Sequence, residues 1–228
     1  MTASPHRLPT GAIGRGIDLA KLGEILGGID LDWLPARIQR AVRARRMSYI
    51  GGRICAEDAM SELTGGVSAC VAEDQGVPLW PDGVMGSITH TRSGAWAAVA
   101  QWQPNQFLGI DTEEIADSEA MRSILATCCT PYERARWFVD ASDPALALLA
   151  TTVFSAKESI YKAIHPHVRR FVDFCEVELV HMSECSHELR FRPAPASDLA
   201  PLFSTFVVQS CVTGNSVNTA VSGSIPWR

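Results

Sequence analysis

The sequence has no apolar run long enough to cross a bilayer: its longest, PALALLATTVF at 144–154, stops well short of the roughly 20 residues a spanning helix needs. No secretory leader is expected either. The opening MTASPHRLPTG has no basic start followed by an apolar stretch, so export is not expected and this segment is expected to fray. No CxxC pair occurs. Seven cysteines (Cys55, Cys70, Cys128, Cys129, Cys175, Cys185, Cys211) make an odd count inside mostly apolar segments, which suits reduced thiols in a cytoplasmic protein. His181 and Cys185 have the spacing of two ligands on a helix, but HMSEC reads as strand and no second ligand pair accompanies them, which sets zinc aside. There is no repeat, low-complexity tract or Gly/Ser linker. Nor is there a basic excess. With 25 Asp and Glu against 20 Lys and Arg, the net charge is −5, so neither nucleic acid nor a membrane is expected as a partner.

What is present is a 228-residue chain, 46% hydrophobic, enough for one core or two smaller ones. Asp32 precedes WLPARI as a helix cap, with Pro35 in the first turn, and that helix is expected to carry the arginine run RIQRAVRARR. RMSYIGGRICAEDAMSEL continues helically, weakened or bent at Gly51-Gly52 and ended by Gly65-Gly66. VSACVA reads as a short strand and EDQGVPLWPDG as a loop. VMGSITHT, AWAAVAQW and FLGIDTE then read as strands of a sheet in the middle third. SEAMRSILATCC and TPYERARWF are helical, the second capped by Thr130 and opened by Pro131. A long helix from Pro144 follows, expected to stop near His165 because Pro166 comes next. EVELVHM, HELRFR, TFVVQSCV and NTAVSG return to strand. Helix and strand mix without a βαβα order, which points to an α+β fold.

Four groups of residues carry chemistry. In FSAKESIYKA, Ser155, Glu158 and Lys162 share one helix face while Leu149, Val153, Ile160 and Ile164 form an apolar stripe on another. On its own, Glu158 with Lys162 is an ordinary i, i+4 ion pair. In LGIDTEE, Asp111 and Glu113 lie two apart on a strand and so face the same way. Two adjacent carboxylates repel unless a cation sits between them, and Mg2+ with phosphate oxygens suits such a pair. GVMGSITHT supplies Ser87, Thr89 and His90 as donors to an anion, and Arg45 and Arg53, eight apart on one helix, form a candidate phosphate clamp.

In this order, RRMSYIGGRICA, GVPLWPDGVMGSITHT, LGIDTEE, FSAKESIYKA and HVRRFVDF make the sequence resemble the 4′-phosphopantetheinyl transferases of the surfactin- and enterobactin-synthetase-activating type, from about Arg45 to Glu178. The resemblance implies transfer of phosphopantetheine from coenzyme A (CoA) to a serine of an apo acyl or peptidyl carrier protein, releasing 3′,5′-ADP. It implies two similar α+β halves related by a pseudo-two-fold, residues 1–110 and 111–228, with the coenzyme between them, in a monomeric cytoplasmic enzyme. By resemblance Asp111, Glu113 and Glu158 hold Mg2+, with Mn2+ as a substitute, and Glu158 or a water on the metal takes the serine proton. Lys162 contacts the transferring phosphate and Lys157 lies near the same phosphates. Thr89 and His90 hold diphosphate or 3′-phosphate oxygens, His90 counting among the catalytic residues. Arg45 and Arg53 hold the nucleotide end, while Phe171 and Val172 wall the pantetheine arm. Gln75 is a cofactor-binding position where relatives often carry Lys or Arg. Glu57 and Ser48 also depart from the family pattern, which touches the nucleotide grip rather than the metal site. A Mg2+-dependent diphosphate hydrolase and a non-catalytic carrier-binding module are the alternatives.

Overall fold

The computed structural model describes residues 1–29, 31–66, 71–74, 76–139, 145–183 and 187–225. Contacts divide the chain into two compact units, Met1–Ser4 with Thr10–Trp102 and Pro5–Pro9 with Gln103–Arg228. The expected halves, 1–110 and 111–228, would instead meet inside a strand that runs from Gln106 to Glu114.

The first unit contains β1 (Thr2–Ala3), β2 (Ile13–Asp18), α1 (Leu19–Ile25), α2 (Ala36–Gln39), α3 (Arg43–Thr64), β3 (Ala72–Asp74), β4 (Val77–Leu79), β5 (Val84–His90) and β6 (Gly94–Gln101). Its four-stranded antiparallel sheet runs β1-β2-β6-β5, with β3 and β4 as a separate pair. The arginine run does not ride on one helix. Pro35, not Asp32, caps α2, which lasts one turn, and α3 starts afresh after Val42. α3 runs without interruption through the Gly51-Gly52 pair. A Cβ on Gly51 would sit 2.6 Å from Leu19 Cδ2, and one on Gly52 2.7 Å from Ile88 Cγ2, so these glycines let the helix lie close on its neighbours. The core beneath is small and aliphatic: Cys55, Ala56, Ala59, Met60, Val84, Ala97 and Val99.

The second unit contains β7 (Gln106–Glu114), α4 (Ser118–Thr127), α5 (Pro131–Trp137), α6 (Leu146–Val168), β8 (Val177–Met182), β9 (Glu188–Pro193), β10 (Phe206–Thr213) and β11 (Ser216–Ser224). Its antiparallel sheet runs β7-β11-β10-β9-β8, so FLGIDTE belongs to this sheet and not to that of VMGSITHT. Val153, Ile160 and Ile164 of α6 are buried against Leu179, Leu189, Phe191, Phe206 and Val208, as the apolar stripe predicts. Pro166 does not stop α6. It falls in the last turn, and the helix ends at Arg169 in the left-handed conformation. Of the VSACVA strand, only Val71 and Ala72 are described.

Gly109 decides how closely α6 approaches β7. A Cβ there would lie 2.0 Å from the Ser159 carbonyl oxygen and 2.9 Å from Ala163, both in α6. Since the nearest obstacle is backbone, Gly109→Ala is expected to cost about 3 kcal/mol, the upper part of the overpacking range. Urea denaturation would show it as a lower midpoint at unchanged slope. A variant as stable as the parent would mean that the helix can move off the strand freely.

The opening segment does not fray. Thr2 and Ala3 pair with Gly16 and Arg15, and His6 is buried. Among the described residues, no helix is long and apolar enough to cross a membrane, and Cys55, Cys128, Cys129, Cys175 and Cys211 are free thiols. Cys70 and Cys185 lie outside the described residues.

Candidate active site

In the second unit, the close approach at Gly109 sets the chemistry two and four residues further along the strand. Side chains at 109, 111 and 113 share one face of β7, so the face that lacks a side chain at 109 presents Asp111 and Glu113 to α6. Helix spacing then puts Glu158 and Lys162 one turn apart above them. Lys162 Nζ donates to Asp111 Oδ1 at 2.6 Å, with the aspartate side chain 3% exposed and the lysine 27%. Ser155 is buried and bonded to Thr219, the residue opposite Asp111 on β11, which pins the helix to this face.

The three carboxylates feel one another. Burial first, then the negative charge of Asp111, pushes the Glu113 carboxyl up to about 7, with Glu158 adding to the rise and Lys162 opposing it. Burial also raises Glu158, Lys162 pulling it down and Asp111 pushing it further up. A carboxylate whose folded pKa is raised favours the folded state below its unfolded pKa and loses that contribution as pH rises through the folded value. For Glu113 that window runs from about 4.5 to about 7. At neutral pH the cluster is short of positive charge, with Lys162 as the cation bonded to it. As donors, three carboxylates suit a hard divalent ion that keeps water and takes phosphate oxygens. Among the described residues, however, no three His, Cys, Asp or Glu side chains already converge as a ready-made metal-ligating group.

Lys157, expected near the phosphates, is elsewhere. Its side chain is fully buried and Nζ donates to Glu133 Oε2 at 2.7 Å, the Cys128 carbonyl at 2.8 Å and the Phe174 carbonyl at 3.0 Å. An ammonium has three N–H donors, and all are taken. Glu133 accepts from Thr130 N and Leu179 N as well. Val172, expected along the pantetheine arm, is buried. It packs into the core of the second unit, while its neighbour Phe171 is 69% exposed and lies against Tyr161.

In the first unit, Arg45 Nη1 donates to His90 Nε2 at 2.6 Å, joining α3 to the end of β5. Burial, then the like charges of Arg37 and Arg53, holds the Arg45 guanidinium below its ordinary value, against the pull of Glu73. Arg53 lies over the Tyr49 ring and reaches Glu73 Oε2 at 3.3 Å; Arg37 reaches Glu73 Oε1 at 2.7 Å. Arg37, Arg45 and Arg53 thus form a basic cluster around one glutamate, a fit for an anion. Sequence reasoning missed Arg37 and Glu73, although both stand in stretches it had singled out. Thr89, the residue before His90 on β5, is buried and faces the opposite side of the strand. Gln75 lies outside the described residues.

His6 is the contact that sequence reasoning had no means of finding. Its Nε2 lies 3.0 Å from the Asp111 carbonyl and 3.0 Å from Thr112 Oγ1, and burial holds the ring down at about 4, so it is neutral at physiological pH.

A family model described as the 4′-phosphopantetheinyl transferase N-terminal domain matches residues 35–100, and one described as the 4′-phosphopantetheinyl transferase superfamily matches residues 107–210. The chain is 34% identical over 196 residues to enterobactin synthase component D of Salmonella typhi, covering 85% of this chain and 79% of that protein. It is 37% identical over 142 residues to 4′-phosphopantetheinyl transferase Npt of Nocardia iowensis, 62% of each chain. Similarity to 4′-phosphopantetheinyl transferase Svp of Streptomyces mobaraensis is 35% over 145 residues, 63% of this chain and 58% of the relative.

Proposed function

The chain belongs to the 4′-phosphopantetheinyl transferase superfamily, and on that premise we propose that it moves the phosphopantetheinyl group of CoA onto a serine of an apo acyl or peptidyl carrier protein, releasing 3′,5′-ADP. The observation that carries the reading is Asp111 and Glu113 on one strand face under Glu158 and Lys162, beside a Gly109 that admits the helix. Attack by a serine hydroxyl on the β-phosphorus of CoA needs a proton acceptor, a cation beside the phosphate oxygens and fixed reactants. Glu158, partly buried beside Lys162, or a water next to it takes the hydroxyl proton. Lys162, partly exposed while bonded to Asp111, turns a remaining N–H toward the transferring phosphate. Asp111, Glu113 and Glu158 would hold Mg2+, or Mn2+ in its place, and the ion would supply neutralising charge to diphosphate oxygens.

Arg45 and His90 grip phosphate oxygens at the nucleotide end, with Arg37 and Arg53 adding field. Exposed Phe171 offers an apolar wall to the pantetheine arm, a role assigned to it rather than to Val172. Carrier proteins of siderophore, peptide or polyketide assembly are the proposed acceptors, in keeping with relatives named as enterobactin synthase component D, and the enzyme is proposed to be monomeric and cytoplasmic with no nucleic-acid or membrane partner.

Incubating the protein with CoA, Mg2+ and a panel of apo carrier proteins, then reading intact mass, tests this. One phosphopantetheinyl group is expected on at least one carrier, lost on chelation and restored by Mg2+ or Mn2+. No modification anywhere in a broad panel would remove the transferase reading. Hydrolysis of CoA at full rate without a carrier would favour a diphosphate hydrolase, and transfer that survives chelation would remove the metal alone.

A further inference from the structure

The segment Pro5–Pro9 precedes a strand and helix of the first unit, yet it packs with the second. Its ends are prolines, which narrow the conformations open to it before it docks. Cys211 Sγ donates to the Pro5 carbonyl at 3.0 Å, and the buried His6 reaches β7 at two successive residues. A carbonyl can only accept, so Nε2 carries the proton that goes to the Asp111 oxygen, shared with Thr112 Oγ1 at the same distance. Thr112 Oγ1 donates its own hydrogen bond to Asn218 Oδ1 at 3.1 Å, on the directly opposed residue of β11. His6 therefore holds the peptide plane between Asp111 and Thr112.

That plane sets the backbone torsion of Asp111, and through it the direction in which the carboxylate leaves the strand. Among the described residues β7 is the terminal strand of its sheet, with β11 as its neighbour, and His6 adds a side-chain contact to it from outside the sheet. A carboxylate required to meet Lys162 and two glutamates within hydrogen-bond tolerance is sensitive to a small rotation there. We infer that His6 is a positioning residue, and Pro5–Pro9 a strap, that aims Asp111 at Lys162 and at the phosphates of CoA. This rests on the transferase reading for its consequence in turnover, but not for the geometry.

Two substitutions of similar size and polarity separate positioning from mere stability. In His6→Gln the terminal amide nitrogen stands where Nε2 stood and donates to the same carbonyl. In His6→Asn the amide stops about one bond short and cannot reach it. In the full-length protein, hydrogen exchange read by mass spectrometry over peptides spanning residues 108–114 is expected to match the parent in His6→Gln and to be at least fivefold faster in His6→Asn. With CoA, Mg2+ and a modifiable carrier, kcat is expected to fall at least tenfold in His6→Asn, with KM for CoA within twofold. His6→Gln should stay within threefold of the parent in both. The same exchange rates in both variants would overturn the strap, whatever the enzyme proves to transfer. If the parent transfers nothing, the proposed function falls and the exchange comparison still decides the strap.

Discussion

Glu158→Gln is expected to lower carrier-protein modification by about 10³-fold, within the range lost when a positioned general base is removed. The substitution keeps the volume of the side chain and removes its charge. Because burial raises the Glu158 carboxyl, the folded protein holds the charged form at a cost above the unfolded pKa, and that cost grows as pH rises through the folded value. An uncharged amide avoids it. Thermal stability at pH 8 is therefore expected to stay level or rise while activity collapses, which separates loss of chemistry from loss of fold. Single-turnover mass spectrometry beside a melting curve makes the measurement. Activity within tenfold of the parent would leave no room for Glu158 as the proton acceptor. Asp111→Asn should be nearly as damaging, but for a second reason, since it also removes the ion pair that holds Lys162.

The strands and long helices were legible because their alternation and apolar stripes come from faces that are buried in the structure: β5 to β11, α4, α5 and the stripe of α6 all stand where the pattern put them. The carboxylate pair on β7 followed from strand geometry alone. β2 was not legible, because Gly14 and Gly16 interrupt its pattern. Gly16 is required where the Trp96 ring lies 2.4 Å from a would-be Cβ, a demand made by a residue 80 positions away. Gly109 was hidden for the same reason, its clash being with Ser159. His6 looked like part of a loose end, because its acceptor lies 105 residues on. In each case the missing information was a long-range contact, which neither periodicity nor local propensity encodes.

Lys157 is the sharpest instance, since a cation next to Glu158, the proposed base, invites assignment to the phosphates. Its partner was in view as the glutamate three residues after a capping threonine, and Thr130 with Glu133 does form a reciprocal capping box. What the sequence could not display is that one carboxylate serves the cap, the β8 main chain and the lysine together. With both side chains fully buried, removing one charge leaves the other without compensation, which costs about 3–5 kcal/mol. Lys157→Met is expected to lose that much in urea denaturation and Glu133→Gln somewhat less, because the amide oxygen still accepts a hydrogen bond. The double variant should fall short of the sum by about 1–3 kcal/mol, as contacting residues in one network do. Strict additivity would mean the pair contributes nothing as a pair. Coupling of that size would place the lysine in the scaffold that holds α6, one residue from Glu158.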